Sequence, residues 1–158
     1  MTVLLDNTVL SNFSIVRRPD LVRAAFVEQV GTTEQAFQEM QDGVAIGKIP
    51  ACDWAWLARV TLTPAEEVQF ETFYEYLGAG EASCLAVAWE RGYRLATDDK
   101  DARRLARQLG ISLAGTIGIL GILVKQGELP LVEGDRLLQE MIAAGYRSPL
   151  TTLEALLL

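Results

Sequence analysis

The chain has 158 residues, of which half are hydrophobic and 22% are charged, and its formal net charge is −7. This balance predicts one globular domain, residues 1–158, and argues against a protein that coats nucleic acid through bulk electrostatics. The two cysteines are too few for a disulfide scaffold. The sequence shows neither the basic leader of a secretory signal nor the apolar run of about 20 residues that a membrane span needs, so we expect a cytoplasmic protein.

Short apolar runs alternate with longer helical patterns, which predicts an α/β architecture. Thr32 is predicted as the N-cap of the third helix, with Gln35 completing a capping box and Gly43 ending the helix. The predicted strands are residues 3–6, 26–30, 56–62, 93–97 and 111–113. The predicted helices are residues 8–15, a helix after Pro19, one from residue 32, then 63–77, 81–91, 100–109, 116–125 and 133–144, before a terminal segment 150–157.

Acidic residues follow two of these strands. Asp6 follows the first strand, and Asp98 and Asp99 follow the fourth, at the carboxyl ends where open α/β sheets bind ligands. Glu81 opens the helix after Gly80. Because the chain has no histidine, a site built from these carboxylates suits a hard cation such as Mg²⁺ or Mn²⁺.

Each acid also has a structural explanation that the sequence leaves open. Asp6, and one of Asp98 and Asp99, could serve as helix N-caps. Glu81 in a first helical turn gains about 0.3–1 kcal/mol from the helix dipole without any function. Cys84 lies in the apolar run CLAVAW, which predicts a buried thiol that acts as a small hydrophobe.

Five segments, taken in order, resemble the PIN-domain family and within it the VapC-type toxins. They are LLDNTVLSNF, EQAFQEMQDG, LGAGEASCLAVAWERG, RLATDDKDARRLARQLG and GTIGILGILVKQG. The resemblance covers nearly the whole chain. It implies a three-layer α/β/α sandwich with a central parallel sheet, acidic residues that bind Mg²⁺ or Mn²⁺, and endoribonuclease cleavage of RNA by the toxin of a toxin–antitoxin pair.

The resemblance also assigns roles to individual residues. Asp6, Glu81 and Asp99 match family acids and are expected as metal ligands. The second family acid falls on Glu39, or alternatively on Glu34. Together with Asp98, which lies between the family threonine position and Asp99, Glu39 is expected to assist catalysis by orienting water.

Positive charge is expected beside such a site, because the RNA substrate is an anion. Arg103 and Arg107 lie one turn apart on one helix face, and Lys100 precedes them. We expect these residues and Thr97 to contact substrate, although an ordinary solvated helix face would explain the basic residues equally well. The three tryptophans, at positions 54, 56 and 89, are expected in the core.

The leading interpretation is therefore a metal-dependent endoribonuclease. The alternative is a catalytically weak PIN-like module that binds RNA or a protein partner. A phospho-acceptor receiver domain fits poorly, since its acidic pair would lie near the first strand. The apolar stretches IGILGILV and LEALLL predict a homodimer with a groove for the apolar helix of an antitoxin.

Overall fold

A five-stranded parallel sheet lies at the centre of the protein, and the computed structural model describes residues 2–157. Met1 and Leu158, the two ends of the predicted domain, lie outside the described residues. The strand order is β3-β2-β1-β4-β5. The strands are β1 Thr2–Leu5, β2 Gln29–Thr33, β3 Ala58–Val60, β4 Arg94–Ala96 and β5 Leu113–Ala114.

Helices cover the sheet on both faces, which confirms the predicted α/β/α sandwich. Over residues 2–157 no helix has the length and apolar character to span a membrane. The helices are α1 Asn7–Ile15, α2 Pro19–Ala25, α3 Glu34–Ala45, α4 Pro64–Tyr74, α5 Ala79–Arg91, α6 Lys100–Gln108, α7 Thr116–Lys125 and α8 Leu131–Ala143, followed by a 3-10 helix, Glu154–Leu157.

The central strand β1 shows how the sequence builds both layers. Val3 and Leu5 belong to the core shared with α1, α2, α7 and α8, whereas Leu4 belongs to the core shared with α4, α5 and α6. Successive strand residues point to opposite faces, and all three of these side chains are fully buried. A parallel strand covered on both faces therefore has a continuously apolar sequence.

The position of the predicted acids follows from the chain path. After β1 the chain enters α1 on one face of the sheet, and after β4 it enters α6 on the other face. Because β1 and β4 are neighbours, a crevice opens where their carboxyl ends meet. Asp6 and the pair Asp98-Asp99 follow these two strands directly, so the fold brings them to this crevice.

The second and third strands differ from the prediction. β2 is Gln29–Thr33 rather than 26–30, because its buried hydroxyl groups have partners inside the protein. Thr32 Oγ1 donates to the Leu5 carbonyl at 2.7 Å, and Thr33 Oγ1 lies 2.6 Å from Ser83 Oγ. β3 is limited to Ala58–Val60, shorter than the predicted 56–62, and lies at the sheet edge.

The start and end of α3 also correct the prediction. The N-cap is Thr33, not Thr32, since Thr33 Oγ1 accepts from the Ala36 N–H at 3.1 Å. The capping box with Gln35 is therefore wrong. Gly43 does not end the helix but lies inside it, where a Cβ atom would stand 2.6 Å from Ile49 Cδ1. The chain after α3 therefore packs its Ile49 side chain closely against the helix at Gly43.

Single side chains give mixed results for the predicted core. Cys84 is fully buried, and burial raises the pKa of its thiol to about 12, which confirms an inert structural thiol. Trp54 is buried as predicted. Trp89 is 42% exposed, so its assignment to the core is wrong. The apolar side chains of α7 and Leu153 are mostly buried within this chain, and the homodimer stays a prediction.

Glu66 is buried and forms both a capping box with Thr63 and an ion pair with the partly exposed Arg91. The Glu66 oxygens accept from Arg91 Nε at 2.7 Å and Nη2 at 2.8 Å, and these bonds lower the pKa of Glu66. Arg91→Ala would remove the counter-charge of this carboxylate and leave it the Thr63 N–H as a hydrogen-bond donor. Because Arg91 is partly exposed, we expect the variant to cost about 2 kcal/mol of unfolding free energy, measured by chemical denaturation.

The stabilisation from this pair has a defined pH dependence. Because the folded-state pKa of Glu66 is lowered, the stabilisation is present at neutral pH and is lost as the pH falls through the acidic range. Arg104→Ala is the matched control, since the Arg104–Asp101 pair is exposed, and it should change stability by less than about 1 kcal/mol. Equal losses in the two variants would contradict this prediction.

Candidate functional site

Asp6 is fully buried, and both of its carboxylate oxygens accept hydrogen bonds. Oδ1 accepts from the Thr8 N–H at 3.0 Å, the Thr8 hydroxyl at 2.5 Å and the Val9 N–H at 3.2 Å, so Asp6 does cap α1. Burial raises its pKa from 3.8 to about 8, against the effect of these hydrogen bonds. Asp6 is therefore largely protonated at pH 7 unless a cation offsets its charge.

Thr97 positions Asp6. It is fully buried, and its hydroxyl donates to Asp6 Oδ2. Thr97 Oγ1 also accepts from the Asp99 N–H at 3.0 Å. The prediction of Thr97 as a substrate contact therefore disagrees with the structure, because its hydroxyl is already used inside the protein. Its role is to connect the carboxyl ends of β1 and β4.

Glu81 lies in the first turn of α5 and is 8% exposed. Burial raises its pKa, and the neighbouring charges of Glu39 and Asp99 raise it further. Glu39 reaches this turn from α3, where its Oε1 accepts from the Gly80 N–H at 2.8 Å. Glu34, the alternative second acid, is exposed and lies 3.5 Å from Arg59, so Glu39 is the α3 acid beside Glu81.

Asn7 adds an amide oxygen to this group of acids. Its Oδ1 atom is buried and has no hydrogen-bond partner within residues 2–157. A Cβ atom on Gly80 would lie 2.5 Å from this oxygen. Glycine at position 80 therefore allows α1 and α5 to approach closely, and it leaves a buried acceptor beside Glu81 that could bind a cation.

The adjacent residues Asp98 and Asp99 have different partners. Asp99 caps α6, accepting from the Ala102 N–H at 2.8 Å. Asp98 accepts from the Thr116 N–H at 2.9 Å, from the Thr116 hydroxyl, and from Asn12 Nδ2 at 3.0 Å. Burial raises the pKa of Asp98 while these hydrogen bonds lower it. Asp98 therefore connects α1 to α7.

The acids of the crevice have the oxygen chemistry that a divalent cation prefers, although their side chains do not form a complete metal site in the present geometry. Within the part of the chain from residue 2 to 157, no three carboxylate or thiol groups converge closely enough to hold a metal ion as they stand. However, Glu81 lies beside the like charges of Glu39 and Asp99, and Asn7 offers an unpaired oxygen. These hard oxygen donors are the type that Mg²⁺ and Mn²⁺ prefer, and a cation would offset their repulsion.

The predicted basic residues lie next to the acids. Lys100, Arg103 and Arg107 line one cavity together with Asp98 and Asp99. Arg103 is only partly free, since its Nη1 donates to the Thr97 carbonyl at 2.7 Å and the Ala114 carbonyl at 3.0 Å. The structure thus places these cations where an anionic ligand could reach both the cations and the acids.

The sequence analysis missed several residues that support the site. Asn7 and Asn12 are polar positions of α1, whose other side chains are largely buried and apolar, and this contrast was the available signal. Thr116 follows a glycine directly before an apolar helix, where a hydroxyl is readily interpreted as a cap. Tyr146, which lines the cavity beside Asp98, has no signal in the local sequence.

Comparisons with known proteins give a match to a sequence family and similarity to solved structures. The sequence family DUF3368, described as a PIN domain, matches residues 2–158. No curated protein matches the chain. Among solved structures, the crystal structure of PAE2754 from Pyrobaculum aerophilum is similar with a TM-score of 0.45 and 16% sequence identity, over 70% of this chain and 98% of that chain.

Proposed function

Because this chain belongs to the PIN-domain family, whose members are generally nucleases that use divalent metals, we propose that it is a metal-dependent endoribonuclease. The observation that carries the proposal is the position of Glu81. This desolvated carboxylate lies beside Glu39 and Asp99, at the crevice that also contains Asp6. Such an accumulation of buried negative charge is costly unless a cation binds.

The proposed roles follow from the contacts of each residue. Glu81, Asp99 and Asp6 would hold the ion, which supplies an activated water and neutralises charge on the phosphate. Glu39 is fixed by the Gly80 N–H and would orient the nucleophilic water. Asp98 acts as a positioning residue, because Asn12 and Thr116 already bind its carboxylate.

The proposal is tested by incubating a mixture of cellular RNAs with the purified protein. We expect cleavage in Mn²⁺ that EDTA abolishes and that the double variant Asp6→Asn, Asp99→Asn lacks. The double variant Asp53→Asn, Asp101→Asn, which changes two acids away from the site, should cleave like wild type. Cleavage by the site variant in EDTA would contradict the metal-nuclease assignment.

A second candidate function is a catalytically weak module that binds RNA or a protein partner. The favouring observation is that Asp6 is enclosed by hydrogen bonds, and that residues 2–157 contain no metal site that is formed as it stands. RNA binding without metal-dependent cleavage in the same assay would support this alternative.

We also propose, from the resemblance to VapC-type toxins, that the protein is the toxin of a toxin–antitoxin pair and forms a homodimer. Induced expression should then arrest growth, and coexpression of a small neighbouring gene should relieve the arrest. Light scattering at tens of micromolar protein should give twice the chain mass, because this concentration is roughly ten or more times a micromolar dissociation constant. A monomer throughout would contradict the dimer.

A further inference from the structure

A second cavity, with a volume of about 620 Å³, lies at the end of α1 that is opposite the crevice of the proposed active site. Asp6 caps the start of α1, whereas Arg17 follows its end, and the nine residues of the helix lie between them. The walls of the cavity come from α2 and from the segment between α3 and β3. Its volume is in the range of about 300–1,000 Å³ that small-molecule sites have. The cavity is therefore separate from the acids.

Arg17 lines this cavity and has an unusual backbone conformation. Its φ angle is 57°, and within residues 2–157 it is the one residue other than glycine with a positive φ. The Arg17 N–H donates to the Ser14 carbonyl at 2.9 Å and the Arg18 N–H to the Phe13 carbonyl at 3.0 Å, which is the Schellman ending of a helix. Glycine is the usual residue at this position, because any side chain there destabilises the backbone. Such strain is common where a side chain has a function.

Two cations of the cavity are available to an anionic ligand. Arg17 and Arg23 are both exposed, and within residues 2–157 neither forms an ion pair. Of the two carboxylates in the lining, Asp20 is already paired with Arg18 at 2.9 Å, and this pairing lowers the pKa of Asp20. Asp53 is the other carboxylate, so two unpaired guanidinium groups face one unpaired acid. Guanidinium groups bind a phosphate through several N–H donors at once.

Trp56 adds a flat apolar surface beside these cations. Its ring is half-buried and packs against the buried ring of Trp54, with 5.7 Å between the two ring centroids. Trp54 Nε1 in turn donates to Ser14 Oγ at 2.9 Å, which ties the pair of rings to α1. The guanidinium of Arg23 lies 5.6 Å from the centroid of the Trp56 ring. Indole rings and guanidinium planes both stack nucleobases, so this surface suits the base of a nucleotide.

We propose that this cavity binds a nucleoside monophosphate, with the phosphate on Arg17 and Arg23 and the base against Trp56. A single nucleotide fits better than a nucleic acid strand, because Asp20 and Asp53 in the lining would repel further phosphates. The inference is independent of the proposed nuclease function, since none of the acids of the crevice lines this cavity.

Binding is measured by isothermal titration calorimetry in EDTA with the 5′-monophosphates of adenosine, guanosine, cytidine and uridine. Wild type should bind at least one of them with a dissociation constant below roughly 1 mM. Arg17→Gly should weaken this binding about tenfold or more, yet keep or raise the melting temperature, because glycine suits the positive φ. A purely structural role of Arg17 would not combine these two effects. Trp56→Leu should weaken binding at least about fivefold, whereas Trp56→Phe should retain most of it.

Two comparisons test where the nucleotide lies and which of its groups are bound. Arg107→Ala changes a cation of the cavity beside Asp98 and Asp99, and it should bind the nucleotide like wild type. Inorganic phosphate and the matching nucleoside should each bind more weakly than the nucleotide, because each lacks one of the two contacts. The proposal would be overturned by equal binding of phosphate and nucleotide, by unchanged affinity in Arg17→Gly or Trp56→Leu, by a loss in Arg107→Ala that matches the loss in Arg17→Gly, or by wild type that binds none of the four monophosphates.

Discussion

Glu81→Gln is expected to lower Mn²⁺-dependent RNA cleavage by roughly 100-fold or more, the loss that follows when a metal site is weakened. The reason is that Glu81 lies beside two other acids, Glu39 and Asp99, which repel its charge. A cation bound to Glu81 would therefore offset more repulsion than one bound to either neighbour alone. Glutamine keeps the shape of the side chain and removes its charge.

The same variant should change stability in a way that requires no substrate. Without metal, Glu81→Gln should melt at a higher temperature than wild type, because a desolvated charge beside like charges destabilises the fold. Added Mn²⁺ should then stabilise wild type more than the variant. Glu34→Gln is the matched control on an exposed acid, and it should keep both activity and the metal response. An equal Mn²⁺ response in wild type and Glu81→Gln would exclude Glu81 as a ligand.

Metal-free wild type is expected to lose the stability contributed by Asp6 as the pH rises from about 4 to about 8. Asp6 gives up its proton near pH 3.8 when unfolded but only at about 8 when folded. Between these values the folded state binds more protons, so the unfolding free energy falls with pH, by at most about 1.4 kcal/mol per pH unit. This contribution is fully present below pH 3.8 and lost above about 8.

Asp6→Asn isolates this effect. Asparagine has no titrating proton and is itself a good N-cap, so the variant should be the more stable protein at pH 8 in EDTA and should show a flatter pH profile. Denaturation in urea at several pH values gives the comparison. Asp101→Asn, an exposed acid on α6, should reproduce the wild-type profile. Parallel profiles for wild type and Asp6→Asn would show that burial of Asp6 does not control its protonation.

The elements that depend on local patterns were predictable from the sequence. The predicted start of the helix 63–77 agrees with that of α4, because the capping box of Thr63 and Glu66 forms within one helical turn. Apolar runs located β1 and β4, since both strands are covered on two faces. The position of Asp6, Asp98 and Asp99 directly after these runs predicted that they lie at the carboxyl ends of the strands, whereas the pairing of β1 with β4 is known only from the structure.

The predictions that failed concern residues whose hydrogen-bond partners lie far away in the sequence. Thr32 was predicted as a helix N-cap rather than a strand residue, whereas its hydroxyl donates to Leu5 and the Thr33 hydroxyl lies beside Ser83, both far away in sequence. Thr97 was expected to contact substrate because nothing local shows that its hydroxyl donates to Asp6. Spacing along the chain does not encode hydrogen bonds between residues 91 positions apart.

The separation of 91 positions between Asp6 and Thr97 also affects the order in which the protein folds. The first strand of the chain is the central strand of the sheet, and it pairs with β4, which is formed from Arg94–Ala96. Closing so long a loop is entropically unfavourable until other contacts compensate, and such contacts slow folding. While the chain is being synthesised, Asp6 remains hydrated and ionised until β4 has emerged and paired. The complete acidic crevice is therefore a late product of folding, and partly folded chains lack it.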